Sequence, residues 1–520
     1  MTSRTSSTPT DDIGTFCLVL HSHLPWVAHH GTWPVGEEWL HQAWADSYAR
    51  VLAVAQRLGS QGREHLFTLG VTPVLAAALD DSYCISEHHR WLADRHLRAT
   101  GLATDADPVR RHAAPREIHN AGRAMQVFEK HWSRGASPVF RDLTDAHTIE
   151  LLGGPLSHTF TPYLPDNLAA ASLQAGLDDA ELRIGQRPVG IWTPECAFRP
   201  GMETTWSDTG ISHLMLEGPT LQSAGAHLGA PWHVGDSNVA VFGRDLTTTY
   251  RVWSPRRGYP GNRWYRDFHT FDHNWGLRLK RVTGQRVTPE NKAPYDPERA
   301  AMAVRADAVD FVGHVRKQLL KHSDNDNGQR GVVVAGFDTE LFGHWWHEGP
   351  QWLEAVLMLL PEAGIHVDTL AGALRRHDVA GQVHPAEGSW GSGKDFGVWS
   401  SPVTQHLRDR YDESIHAVSV LLAKSWSDRG RLARDEVHDQ VVMSLLLGMS
   451  SDWVFLIEKN GAAEYARGRA EEHLKDVDSL LHLMEQRLQG IPLSLENLNL
   501  LQHIQSRDRV WGHVDARTFA

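Results

Sequence analysis

An α/β fold, either a barrel or a layered sheet, followed by an all-helical C-terminal part, is what this 520-residue sequence predicts. Three observations carry that expectation. Short β-prone apolar runs alternate with stretches of helical spacing over the first 400 residues, the pattern of α/β architecture. Several of these runs stop abruptly at a polar residue and are followed by Gly, Pro or aromatic residues. Beyond residue 400 the runs cease and helical periodicity takes over. A chain of this length is too long for one compact core, which implies two or three domains.

The elements follow in order. Residues 1–12, MTSRTSSTPTDD, are polar and read as a loose tail, without the apolar segment of a signal peptide or anchor. GTFCLVLH (14–21) is a first buried strand ending at His21. A loop carrying His23 and Trp33 follows, punctuated by Pro25 and Pro34. LHQAWADSYARVLAVAQRL (40–58) has helical spacing, and HLFTLGVTPVLAAAL gives a strand and then a helix. The His- and Arg-rich stretch at about 83–134 reads as a helical insertion. HTIELLGGPLSHTFTPYLP (147–165) is a strand passing into a loop that bears His158. PVGIWTPECAF, ISHLMLEGP, SNVAVFGRD and VVVAGFD supply four further strand ends. After residue 400, Ala466, Ala470, Leu474, Val477, Leu481, Met484 and Leu488 recur every three or four residues as the apolar stripe of a long helix. The expected organisation is a tail at 1–12, a catalytic α/β domain at 13–399 and a helical domain at 400–520.

Composition removes several functional classes. A formal net charge of −12 argues against a nucleic-acid surface. Three dispersed cysteines, Cys17, Cys84 and Cys196, form no disulfide framework and no paired-thiol metal motif. The longest apolar stretch, LEAVLMLLP (353–361), is too short to span a bilayer, so a cytoplasmic protein without membrane partners is expected. Neither GxGxxG nor GxxxxGK[ST] spacing occurs, and no nucleotide cofactor is implied.

Two carboxylates carry the chemistry. Glu195 ends GIWTPE and Asp338 ends VVVAGFD, and aromatic residues follow each. Strand ends that face an opening are where barrel and open-sheet enzymes place reacting groups. Rings beside carboxylates suggest a saccharide cleft, because rings give rigid contact surfaces and carboxyl groups exchange protons. Glu340, two residues after Asp338, is the rival acid, and Asp338 itself could simply cap a helix. His21, His23 and His158 can bind sugar hydroxyls or support a carboxylate. The first two could instead hold zinc with distant partners, although no HExxH and no close Cys/His set supports a metal. The irregular, aromatic loop at 250–276 is too long to be a simple connection, and Trp253 and Trp275 within it are assigned to substrate contact. Trp346 in HWWHEG, Trp390 and Trp399 in GSWGSGKDFGVW, and Trp453 in SLLLGMSSDWVF complete the candidate aromatic wall.

LHSHLPW, GGPLSHTFTPYLP, GIWTPECAF, AGFDTELFGHWWHEG and GSWGSGKDFGVW, in that order, resemble the motifs of glycoside hydrolase family 57. VWSPRRGYPGNRWYRDF and the helical C-terminus resemble features of its α-1,4-glucan branching enzymes. The resemblance implies a (β/α)7 barrel with a small helical insertion and a C-terminal helical domain. It also implies an α-glucan substrate and a retaining reaction with no metal or organic cofactor, by a monomer or homo-oligomer. Glu195 occupies the nucleophile position and Asp338 the acid/base position. His21, His23 and His158 match substrate-contact or supporting positions. Trp33, Trp390 and Trp399 match aromatic positions near the donor and acceptor sites, and Asp245 resembles an acidic neighbour. Trp26 stands where Tyr is usual and Thr193 where Leu is usual; neither change removes a reacting group.

Overall fold

The computed structural model describes residues 12–33, 35–254, 257–325, 330–429 and 434–520. The expected tail lies outside these residues except for Asp12, as do Pro34 and the middle of the polar turn at 322–331. Among the described residues there are ten strands: β1 (Gly14–Ser22), β2 (Phe67–Val71), β3 (Ile149–Leu152), β4 (Gly190–Ile191), β5 (His213–Glu217), β6 (Trp232–Val234), β7 (Ala240–Arg244), β8 (Gly331–Asp338), β9 (His366–Asp368) and β10 (Gln382–Val383).

Seven of them close a parallel barrel. β8 pairs with β1, β1 with β2 and β2 with β3. The ring continues from β3 to β4 through the Gly153–Ile191 bridge, then through β5 to β7. It closes at Arg244 opposite Val334. The short strands β6, β9 and β10 lie outside this ring, β6 running antiparallel to β7. β1 and the first seven residues of β8 are wholly buried, which explains why they read as unbroken apolar runs instead of alternating ones.

Because the barrel strands are parallel, their carboxyl ends share one rim. Register places His21 opposite Asp338, Glu217 opposite Arg244 and Ser22 opposite Val71. The chain leaves β4 at Ile191 and reaches Glu195 four residues later, on the same rim.

Between β2 and β3 the helices Ser82–Gly101 and Pro108–Val127 form the expected insertion. Five helices, Gln405–Arg429, Glu436–Gly448, Ser451–Lys459, Ala463–Leu488 and Leu495–Asp508, make the all-helical C-terminal part. One apolar cluster runs from Phe16 in β1 to Phe519, so barrel and C-terminal helices share a core. In the helix Ala463–Leu488 the buried stripe is Ala466, Ala470, Leu474, Val477, Leu480, Leu483 and Met484. It departs from the predicted stripe at its C-terminal end, where Leu480 and Leu483 replace Leu481 and Leu488, because the packing partners change along the helix: Ala466, Ala470 and Leu474 join Trp453, Val454 and Ile457, whereas Val477, Leu480, Leu483 and Met484 join the main core. No described helix is long and apolar enough to cross a membrane.

The His23 to Trp33 loop is tied to the C-terminal helices by polar contacts. His30 bonds Glu472 through Nδ1 at 2.9 Å and buried Asp508 through Nε2 at 2.7 Å. Arg469 donates to the Trp26 carbonyl at 2.9 Å, and the Trp26 indole donates to the Arg507 carbonyl at 3.1 Å. The helix predicted at 40–58 contains a wide π turn, Trp44–Tyr48, a feature that often re-aims side chains at functional sites. It directs Ser47 Oγ to the Thr339 carbonyl at 2.7 Å and Tyr48 to Glu340.

The loop that carries His158 depends on one glycine. A Cβ on Gly176, inside the helix Asp166–Ile184, would lie 2.1 Å from the Gly154 carbonyl oxygen. That contact is backbone, which cannot rotate away. Gly176→Ala should therefore lower stability by about 1–3 kcal/mol, the usual cost of overpacking. Activity should fall with it, as the Gly154–His158 segment shifts. An unchanged thermal midpoint and unchanged activity would refute this account of the loop.

Candidate active site

Local sequence explains how Glu195 is presented. Pro194 keeps Thr193 extended (φ −80°, ψ 131°). The chain then turns sharply, with Glu195 and Cys196 both left-handed at φ 61° and 49°. Such backbone is uncommon outside glycine, and it is held here by surrounding bonds. The Trp390 N–H donates to the Glu195 carbonyl at 2.9 Å. The Trp390 indole donates to Glu195 Oε2 at 2.8 Å, and the Ser451 hydroxyl donates to Oε1 at 2.7 Å.

The hydroxyl is oriented by a chain of histidines. His158 Nδ1 lies 2.8 Å from Ser451 Oγ, and His158 Nε2 lies 3.1 Å from His21 Nε2. Since Ser451 donates to Glu195, it accepts from His158 Nδ1–H. The His158 Nε2 lone pair then accepts from His21 Nε2–H. His21 Nδ1 is left as an acceptor, and it has no hydrogen-bond partner among the described residues. Burial holds both rings neutral, lowering their pKa values well below the ordinary histidine range, with mutual repulsion from neighbouring histidines adding to it. His21 also stacks on Trp192, centroids 4.3 Å apart and planes 8° from parallel.

His23 stacks on His158 at 3.9 Å and bonds Asp452 through Nε2 at 2.7 Å and Thr72 through Nδ1 at 2.9 Å. Burial opposes ionisation of Asp452, yet the charge and hydrogen bond of His23 hold it well below the usual carboxylate range. His23, His158 and Asp452 present donor atoms within 4.8 Å of one another. Each ring nitrogen of the two histidines already has a hydrogen-bond partner, so these groups are engaged as a bonded network.

Asp338 differs from Glu195. Its carboxyl group makes no hydrogen bond among the described residues. Burial raises it to about 6, against the opposing charges of Arg244 and His23. Burial also pushes Glu195 up to about 7, against the bonds from Ser451 and Trp390, while the charges of Asp452 and Asp338 add to the rise. Arg244 is itself fixed by Glu217 at 3.0 Å and the Gly336 carbonyl at 3.0 Å, with its guanidinium over the Trp390 ring. Glu340, the rival acid, is buried beneath the rim. Its Oε1 accepts from the Tyr48 hydroxyl and the His23 N–H, and burial together with the Asp338 charge raises it to about 8. It is a packed, protonated support at neutral pH, whereas Asp338 has no such fixed partners.

The structure thus gathers Glu195, Asp338, His21, His23, His158 and Trp390. It does not bring every other candidate to them. Asp245 caps the helix Leu246–Val252, accepting from the Thr248 N–H at 2.8 Å and from the Thr247 hydroxyl at 2.7 Å. Trp275 packs on Leu102 and Leu279 at the insertion and donates to Asp105, which makes it a joint between loop and insertion. Trp346 is buried among Tyr265, Phe342 and Trp352. Trp399 is stacked on Phe160 at 4.6 Å, and Trp453 is buried with its indole on the Leu447 carbonyl. Trp33 and Trp253 are surface residues, 63% and 46% exposed, and Trp253 pairs with Trp345 at 5.6 Å.

Sequence reasoning missed Ser451, Asp452, Arg244, Tyr48 and Trp192 as site residues. Ser450, Ser451 and Asp452 open the helix Ser451–Lys459, and polar residues heading an apolar helix were the available signal.

Residues 17–384 match the family model described as Glycosyl hydrolase family 57, and residues 414–519 match that described as 1,4-alpha-glucan branching enzyme, C-terminal. The chain is 48% identical over 487 residues to a probable 1,4-alpha-glucan branching enzyme of Mycobacterium tuberculosis, covering 90% of this chain and 91% of the relative. It is 32% identical over 533 residues to a 1,4-alpha-glucan branching enzyme of Thermococcus kodakarensis, covering 95% and 77%. The crystal structure of a GH57-type branching enzyme from Pyrococcus horikoshii superposes with a TM-score of 0.91 at 29% identity, covering 98% of this chain and 97% of that one. A family model that spans most of the sequence, and a relative of such identity along nine-tenths of it, leave one assignment: the chain belongs to glycosyl hydrolase family 57.

Proposed function

We propose that this protein is a 1,4-α-glucan branching enzyme acting by retaining double displacement, with Glu195 as nucleophile and Asp338 as acid/base. The observation that carries the roles is the contrast between the two carboxyls. Glu195 accepts two hydrogen bonds, one of them from an indole N–H that can only donate; they fix its oxygens in place and partly offset the burial that raises it to about 7. Asp338 lacks fixed partners and is raised by burial, as suits a group that must hold and release a proton. The names of the relatives supply the substrate, a 1,4-α-glucan, and the reaction, branching; the α-1,6 linkage of the branch is what the family resemblance implies.

In the first step a Glu195 carboxylate oxygen attacks the anomeric carbon. The bond from that carbon to the departing O4 breaks, and O4 takes the Asp338 proton. In the second step Asp338 accepts the proton of a 6-hydroxyl on the acceptor chain. That oxygen bonds to the anomeric carbon and Glu195 is released as carboxylate. The histidine chain keeps the Ser451 hydroxyl aimed at Glu195 throughout, and the Asp452–His23 pair braces the other face of His158.

Proton NMR of a linear α-1,4-glucan incubated with the enzyme tests this. New α-1,6 anomeric signal with few released reducing ends is the expected result. Reducing ends without branch signal would make the protein a hydrolase that uses the same pair.

A further inference from the structure

Trp390 holds Glu195 at two points, through its own N–H and through its indole. The placement of Glu195 therefore depends on what fixes Trp390. The segment after Trp390 is a tight turn. Gly393 (φ 87°) and Lys394 (φ 63°) are both left-handed, and the Lys394 N–H closes on the Gly391 carbonyl at 3.1 Å. Glycine or asparagine ordinarily fills such a position, because a larger side chain there costs free energy. Strained backbone of this kind persists where the surroundings hold it, and it clusters at functional sites.

The lysine side chain gives a reason for the strain. It turns back across the loop, and its Nζ donates to the Trp390 carbonyl at 3.0 Å. The same ammonium stands 3.6 Å from Glu217 Oε1, an ion contact with a side chain that has no exposed surface. Glu217 ends β5. Its other oxygen, Oε2, accepts from Arg244, whose guanidinium lies 5.2 Å from the centre of the Trp390 ring. Arg244 Nε also donates to the carbonyl of Gly336 in β8, two residues before Asp338. One buried carboxylate thus joins two cations, and each cation meets Trp390, one at its carbonyl and the other at its ring. A free loop lysine would point its charge into water, whereas Lys394 is only 22% exposed.

We propose that Lys394 and Glu217 are positioning residues for the nucleophile, acting on Glu195 through Trp390. The reacting role of Glu195 rests on the function proposed above; the contacts among Lys394, Glu217, Arg244 and Trp390 do not. Without the ammonium, the glycine-rich turn no longer ties the Trp390 carbonyl to β5. The indole that fixes Glu195 Oε2 is then free to move, and the oxygen moves with it.

Lys394→Met, which keeps the stem and removes the ammonium, is the test. Turnover is measured on a linear α-1,4-glucan and on an α-glucoside with an activated aryl leaving group. On both substrates kcat should fall at least about tenfold, within the range for a displaced reacting group, while KM for the glucan stays within about twofold. An activated leaving group cannot spare this variant, because it replaces a proton donor and not a placed nucleophile. Glu217→Gln should behave alike, and adding Lys394→Met to it should cost little more, since both act on one ring. Arg244 still neutralises Glu217 in Lys394→Met, so the protein should fold. If it does not, Lys394→Gly takes its place, because glycine adopts φ 63° without strain. A smaller loss of kcat, a loss confined to the natural glucan, a change in KM alone, or fully additive losses in the double variant overturns the proposal. The functional reading fails by a different result, the absence of new α-1,6 signal from the unsubstituted enzyme.

Discussion

Glu195→Gln should lower kcat on a linear α-1,4-glucan by at least about 10,000-fold, the order of loss when a covalent nucleophile is removed. Binding of the glucan should change by no more than a few fold. The amide keeps the shape of the carboxylate and can keep its contacts. Its oxygen can accept from the Trp390 indole, and its NH2 can donate to Ser451 Oγ once that hydroxyl rotates. What it cannot do is form the glycosyl–enzyme bond. The substitution also removes a carboxylate that burial has pushed up to about 7. The sign is definite: a carboxyl whose folded pKa lies above its unfolded value contributes stability below the unfolded value and loses it as pH rises through about 7. The Gln variant should therefore be no less stable than the parent at pH 8. Turnover within tenfold of the parent, in protein with an unaltered thermal midpoint, would place the nucleophile elsewhere.

Much of this arrangement was legible because strand ends are local features. GIWTPE and VVVAGFD stop where the apolar run stops, and the barrel then sets both ends on one rim. His158 was readable for the same reason, as a polar residue just past β3. The partners of Glu195 were harder, since Ser451 lies 256 residues away and enters at the first turn of a C-terminal helix. No local pattern links the two. Tyr48 was hidden by the π turn, which shifts the helix face by one residue and so defeats 3.6-residue periodicity. The tryptophans show another limit. A ring beside glycine can be a sugar platform or a core residue, and composition does not separate these. Trp390 reaches Glu195, while Trp346 and Trp453 are packed inside. Asp245 drew attention as the acid of GRD, yet it is the neighbouring Arg244 that influences Asp338.

Asp338→Asn should reduce kcat on natural glucan by about 100- to 10,000-fold, the range for loss of a positioned general acid. An α-glucoside with an activated aryl leaving group should lose far less in first-turnover release, because that group departs without a proton. The pH profile gives a second, independent readout. In the proposed mechanism the reacting form has Glu195 ionised and Asp338 protonated; burial raises Glu195 to about 7 and Asp338 to about 6, so this is the less populated of the two singly protonated forms. The free enzyme should therefore show a bell-shaped kcat/KM whose limbs belong to the pair, with its optimum between those values. Asparagine cannot titrate, so the variant assayed on the activated glycoside should keep only the limb that rises with pH. That limb reports Glu195 alone. Its midpoint should fall below about 7, because the negative charge of Asp338, which contributes to raising Glu195, is gone. Equal losses on both substrates, or a falling alkaline limb that survives in the variant, would assign the proton donor to another group. Glu340 would be the first to examine, since it lies two residues away and is held protonated by burial.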